Sequence, residues 1–328
     1  MLTTTCQPDH NTLQPLIPDT LKGRSILKMT DLSATEVNQL LALAKELKQA
    51  KKNKTPHRFL AGQHAMLYFE QPSCRTRISF ETALADLGVN TIFVKKEEIG
   101  LGVREAIPDV ARTLSRYVDA IVIRHLNDAE IAELAEWGTI PVVNALSAGH
   151  HPCQALADLL TIQDCFGSVA GKTVVFVGDV QNNVALSLME ACALAGVNIT
   201  LCGPLDFPPD AALLADAQAV GQVTGATVLF IPDVDYAITV ADVVYTDVFT
   251  SMGQEAENFE RQLRFADFQV NSALMAKAPS HAIVLHCLPA HRDEEITHAV
   301  VEANAQWIFE QAENRHHAQK ALMLSLMR

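Results

Sequence analysis

Apolar residues recur along this 328-residue chain in two rhythms, one helical and one strand-like. From Leu32 to Lys51 they fall at helical spacing: Val37, Leu40, Leu41, Ala44 and Leu47 share one face, and Ser33 with Glu36 forms a capping box ahead of them. Short apolar runs then predict strands at 65–69, 90–94, 118–123 and 140–143, with helices at 77–87, 107–116 and 128–137 between them. After Gly167 a second series predicts strands near 173–177, 198–202, 227–231, 242–246 and 282–286. Its helices fit near 183–195, 210–219, 257–265, 271–277 and 293–302, and Ala312 to Met327 reads as a helix with no strand after it.

Alternation of this kind implies parallel sheets covered by helices. Two series imply two α/β domains, each a parallel sheet flanked by helices, with the active site expected in the cleft between them. The expected division is a first domain at 1–150, a linking helix at 151–165 and a second domain at 166–311. The closing helix 312–328 is expected to pack back on the first domain.

Composition narrows the function classes. The chain is 49% hydrophobic and 19% charged, and no apolar stretch is long enough to span a membrane. The polar N-terminus, Met1 to Pro15, lacks the order of a signal peptide and is expected to be a loose arm. Seven cysteines without a CxxC pair argue for reduced thiols, hence a cytoplasmic protein, and against a zinc site. A net charge of −13 argues against nucleic acid as a partner. An anionic substrate must therefore be captured by a local cluster of cations.

Ser73-Cys74-Arg75-Thr76-Arg77 supplies such a cluster. It lies between a strand and a helix, with Ser73 expected as the N-cap. Two arginines there oppose the positive end of the helix dipole. Either an anion binds among them and the free backbone N–H groups, or they are solvated or ion-paired.

Further polar clusters follow other strands. They are Arg124, His150 to Gln154, Gly178-Asp179 with Asn182-Asn183, Asp247 with Ser251-Met252-Gly253, and His286-Cys287-Leu288-Pro289. Ligands of open α/β sheets bind beyond the carboxyl ends of the strands, where all of these fall. Pro152 suits the first position of a helix, which makes His151 either its cap or a functional group. Cys287 is either a core thiol or a functional one. Val177-Gly178-Asp179 lacks the G-x-G-x-x-G spacing, so no nicotinamide cofactor is expected.

Ser-x-Arg-Thr-Arg, His-Pro-x-Gln, Asp-x-x-x-Ser-Met-Gly and His-Cys-Leu-Pro together resemble the transcarbamoylases, from about residue 22 to residue 328. The first two motifs are shared across that family. The last two, at Asp247 to Gly253 and His286 to Pro289, resemble its ornithine branch rather than its aspartate branch.

The resemblance implies transfer of a carbamoyl group from carbamoyl phosphate to the side-chain amine of L-ornithine, in arginine metabolism, with no cofactor and no metal. It implies that Ser73, Cys74, Arg75 and Thr76 hold the phosphate, and that Arg124, His151, Gln154 and Arg315 complete the carbamoyl phosphate site. Cys287 and the Leu288 backbone are implied where the substrates meet, and Asn183, Asp247, Ser251 and Met252 around ornithine. Arg124, His151, Asp247 and Cys287 are the implied catalytic set. A homotrimer, or a multiple of trimers, is also implied, with the loop from Glu98 to Glu105 of a neighbouring subunit closing the carbamoyl phosphate site.

Three positions depart from the family pattern: Cys74 stands for threonine, Gly100 for glutamine and Phe249 for tryptophan. The change at Gly100 predicts weaker carbamoyl phosphate binding than in a typical relative. Two other functions compete: a transcarbamoylase for another amine, such as putrescine or an acylated ornithine, and a non-catalytic regulatory paralogue.

Overall fold

A computed structural model describes residues 16–251 and 255–328. The expected N-terminal arm and Met252 lie outside the described residues. No helix among the described residues is long and apolar enough to cross a membrane.

The chain divides into two compact units. One takes the residues up to Leu156 together with Arg315–Arg328; the other is Ala157–Asn314. The chain passes between them within two helices, Pro152–Phe166 and Ala305–Met327.

The first unit holds four strands, β1 (His64–Phe69), β2 (Asn90–Lys95), β3 (Ala120–Arg124) and β4 (Val142–Leu146). They form one parallel sheet in the order β2-β1-β3-β4. The second unit holds β5 (Thr173–Val177), β6 (Asn198–Cys202), β7 (Val228–Phe230), β8 (Val243–Thr246) and β9 (Ile283–His286). These pair in parallel in the order β7-β6-β5-β8-β9. The expected class, α/β with two parallel sheets flanked by helices, is the observed one.

The central strands are apolar over most of their length, as strands of buried parallel sheets are. Ala120 to Ile123 and Val174 to Val177 are fully buried. Edge strand β2 mixes exposed and half-buried positions instead. The helix Ala34–Lys52 starts as its capping box predicts, with Ser33 Oγ accepting from the Glu36 N–H at 3.2 Å and Glu36 accepting from the Ser33 N–H at 2.8 Å.

Several boundaries differ from expectation, three of them with a bearing on the sites. β4 begins after Pro141, which has no N–H for the ladder, and runs on through Asn144. Asn144 is tolerated in a buried strand because its amide donates to the Leu27 carbonyl and to Ser147 Oγ. The helix expected at 293–302 is only His298–Ala303, since Asp293 takes a left-handed φ of 71°. The last helix begins at Ala305, seven residues before the predicted Ala312.

Candidate active site

In the first unit the chain leaves β1 and β3 at the point where strand order reverses, the place where open α/β sheets bind ligands. The helix Cys74–Leu87 follows β1, and Ser73 occupies its N-cap. Its hydroxyl makes no capping bond, contrary to expectation. It accepts instead from Arg124 Nη1 at 3.1 Å, at the end of β3, where pairing with β4 slips between Ile123 and Arg124. The serine thus joins two strand ends and leaves the helix N–H groups uncapped by its side chain.

Thr76, in the first turn, is buried and accepts from Arg315 Nη2 at 2.8 Å. Arg124, Arg315, His151 and Gln154 are all buried in the same unit. Burial draws the Arg124 pKa down to about 10, and the like charges of Arg315 and Arg75 push in the same direction. Burial, then Arg315 and Arg124, hold His151 well below the ordinary imidazole value, so it is neutral at pH 7. Pro152 opens the helix after it, as predicted. Cys74 is the exposed first residue of its helix.

Arg77 does not belong to this group. Its Nε donates to Glu81 Oε1 at 2.9 Å, and its guanidinium lies 3.6 Å from the centre of the Phe93 ring. Of the two arginines in the opening motif, one is therefore structural. Gly100 has a φ of 62°, and a Cβ there would lie 2.9 Å from Arg104 Cβ. A glutamine at this position would need the 98–105 loop to rearrange.

In the second unit strand order reverses between β5 and β8. Asp179, Asn182 and Asn183 follow β5, Asp247 follows β8, and Cys287 follows β9. Asn182 caps the helix Asn183–Ala195 through a 2.7 Å bond from the Ala185 N–H. Its amide also donates to Asp247 Oδ2 at 3.4 Å. The Cys287 thiol donates to Asp247 Oδ1 at 3.0 Å, and the Val248 N–H donates to the same oxygen at 2.8 Å. Burial raises the Asp247 pKa, offset in part by His286 and by the bond from Cys287. A buried carboxylate of this kind gains from a cationic ligand.

Asn183 is the half-buried first residue of its helix, and Ser251 is half-buried. The Leu288 N–H donates to His286 Nδ1 at 2.9 Å, which leaves the carbonyl as its available backbone group. His286 Nε2 lies 3.0 Å from Glu295 Oε1. Asp247, His286 and Cys287 have ligand atoms within 4.8 Å of one another. Both imidazole nitrogens are already committed, so the trio is poorly suited to hold a metal ion.

Two contributors carry no assigned role on sequence grounds. Asn182 is one, since only Asn183 carried a binding role there. The other is Arg261, on the helix Asn258–Phe265. Its guanidinium donates to the buried Asp179 carboxylate and, at 2.6 Å, to the Phe249 carbonyl. It thereby ties the turn after β5 to the loop after β8. Phe249 stacks on Phe265 with ring centres 5.3 Å apart, so phenylalanine supplies the aromatic face at a position where tryptophan was expected.

Residues 24–164 match the model of the aspartate/ornithine carbamoyltransferase carbamoyl-P binding domain, and residues 170–326 match that of the Asp/Orn binding domain. The chain belongs to the aspartate/ornithine carbamoyltransferase family. Within that family it is 45% identical to the ornithine carbamoyltransferase of Anoxybacillus flavithermus over 307 residues, covering 94% of this chain and 98% of the relative. It is 44% identical to that of Bacillus subtilis over 307 residues, covering 94% and 95%. The solved ornithine carbamoyltransferase of Pyrococcus furiosus superposes with a TM-score of 0.90 at 42% identity, covering 94% of this chain and 98% of that one.

Proposed function

We propose that this chain transfers the carbamoyl group of carbamoyl phosphate to the side-chain amine of L-ornithine, giving L-citrulline and phosphate. One observation carries the reading furthest. Arg124 is buried beside two like charges, Arg315 and Arg75, next to a helix start that Ser73 does not cap. Such an arrangement is costly when empty and is relieved by a phosphate dianion. The family membership and the relatives named ornithine carbamoyltransferase support the same substrates.

In this reading Ser73, Arg75, Thr76 and the backbone N–H groups of the turn, including that of Cys74, hold the phosphate. Arg124, Gln154 and Arg315 complete the carbamoyl phosphate site. Asn183, Ser251 and Met252 contact ornithine, and Asp247 pairs with one of its amino groups. Cys287 and the Leu288 carbonyl serve the carbamoyl group.

The reaction makes a bond from the amine nitrogen to the carbonyl carbon and breaks the bond from that carbon to the phosphate oxygen. Negative charge builds on the carbonyl oxygen and on the departing phosphate. A neutral His151 donates an N–H to the first, with Arg124, while Arg75 and the helix start stabilise the second. The amine must shed a proton before attack, because its pKa is about 10 in water. Asp247 is the proposed acceptor, reached directly or through Cys287, whose thiol passes its own proton to Asp247 as it takes that of the amine. Joining the two substrates in one site supplies much of the acceleration.

A homotrimer, or a multiple of trimers, in the cytoplasm completes the proposal. The test is product analysis with carbamoyl phosphate and a panel of amines. The reading predicts citrulline and phosphate in equal amounts, with kcat/KM for ornithine at least about 10²-fold above that for putrescine or N-acetylornithine. Preference for another amine, or no product above background, would overturn it.

A further inference from the structure

The Cys74–Leu87 helix is charged against its own dipole at both ends. Its first turn holds arginines and no acid; its last turn holds Asp86 and no base. The proposed anion accounts for the first anomaly. Asp86 is matched from elsewhere. Lys320 Nζ donates to Asp86 Oδ2 at 2.7 Å, and Lys51 Nζ donates to it at 2.8 Å.

Lys320 has no exposed side-chain surface. Its ammonium also lies 2.9 Å from His57 Nε2. His57 Nδ1 is 2.8 Å from the Thr55 carbonyl, which can only accept, so Nδ1 carries the hydrogen and Nε2 accepts from Lys320. His316 lies four residues before Lys320, on the same helix face. Its Nδ1 lies 3.0 Å from Thr82 Oγ1, which gives its own hydrogen to the Ile78 carbonyl, so Nδ1–H donates to Thr82 while Nε2, beside Asp86, accepts from Lys51 Nζ at 3.1 Å.

Arg315, the neighbour of His316, is the residue that donates to Thr76. The last helix is thus fastened to the Cys74–Leu87 helix at both ends of the latter. Thr76 and Arg315 form one fastening; Asp86 with Lys320, and Thr82 with His316, form the other. A buried ammonium stays charged only with a partner, and burial already draws Lys320 down to about 8 with Asp86 opposing. Loss of the carboxylate would leave a charge inside the packed helix pair, and the helix would have to shift or the lysine lose its proton.

We propose that Asp86 is a positioning residue for carbamoyl phosphate: by pairing with Lys320 it fixes the register of the last helix and so holds Arg315 on Thr76. The inference rests on the anion site proposed above. Coupling through such a contact network typically moves affinity by about 2- to 30-fold.

Steady-state kinetics of Asp86→Asn, Asp86→Glu and Arg315→Gln test it. Asp86→Asn is expected to raise KM for carbamoyl phosphate about tenfold, with kcat and KM for ornithine within about twofold of the parent. Asp86→Glu is expected to recover most of the loss. A KM for carbamoyl phosphate within twofold in Asp86→Asn, or an equal rise in both KM values, would overturn the inference. If Asp86→Asn does not fold, Asp86→Asn combined with Lys320→Met removes both charges. That double variant is expected to keep the raised KM, and a normal KM would overturn the proposal. Arg315→Gln separates the two levels. No effect there overturns the anion site itself, whereas an effect there without one in Asp86→Asn overturns only the role of Asp86.

Discussion

Replacing Arg124 with methionine is expected to make the free protein more stable while abolishing its response to phosphate. The Arg124 pKa falls from 12.5 to about 10, through burial first and then through Arg315 and Arg75. Each pKa unit corresponds to about 1.36 kcal/mol, so carrying this charge costs the fold on the order of 3 kcal/mol. Arginine is charged at pH 7 in both the folded and the unfolded chain, so the whole cost is felt there. Methionine keeps much of the side-chain volume but forfeits polar contacts, among them the 3.1 Å bond to Ser73, together worth roughly 1–2 kcal/mol. A net gain of about 1–2 kcal/mol remains, or about 2–6 °C in Tm for a unit of this size. Thermal melts with and without inorganic phosphate read both quantities. The parent should melt higher as phosphate rises, by about 1.4 kcal/mol at ten times its Kd. Arg124→Met should start higher and respond little. A variant that melts more than about 3 °C lower without phosphate, yet gains as much from phosphate as the parent, would refute the reasoning.

Three other outcomes are expected. Burial lowers the pKa of His57, of His316 to about 4, of His317 to about 2, and of His151 well below 6.5. The unfolded chain therefore binds more protons below pH 6.5, and stability should fall by a few kcal/mol between pH 7 and pH 5 in urea titrations; a flat profile would contradict these burials. His151→Asn should lower kcat by about 10²–10³ without moving the pH profile between 6 and 8, because the imidazole is neutral throughout; loss of a limb near pH 6.5 would show that it titrates. Arg261→Ala leaves the buried Asp179 carboxylate unpaired and should cost about 3–5 kcal/mol of stability by denaturant unfolding, with KM for ornithine rising more than KM for carbamoyl phosphate; equal rises would show that Arg261 does not act through the loop after β8.

What could be read from the chain follows the range of each interaction. Strands such as 173–177 and 198–202 are legible to the residue, because buried parallel strands demand runs that are mostly apolar and β-branched. The bond between Arg77 and Glu81 is an i,i+4 pair, and the ambiguity it leaves in the opening motif is local. Ser73 was placed at the N-cap correctly, yet its partner is Arg124, 51 residues on, and no local rule signals that choice. Arg261 lies in an exposed, charged helix pattern, and only the fold brings it to Asp179, 82 residues away. The Leu288 backbone is implied by resemblance where the substrates meet, and only the structure shows that His286 takes its N–H by a turn contact.

The central claim is a division of labour, with phosphate held by one unit and an amino group by the other. Steady-state KM values for both substrates in Arg75→Gln and Asp247→Asn measure it directly. Arg75→Gln should raise KM for carbamoyl phosphate by at least about tenfold and leave that for ornithine within about twofold, as expected for loss of a charged hydrogen bond. Asp247→Asn should do the reverse. If both variants raised the same KM, or if Arg75→Gln acted on ornithine alone, the account would be contradicted.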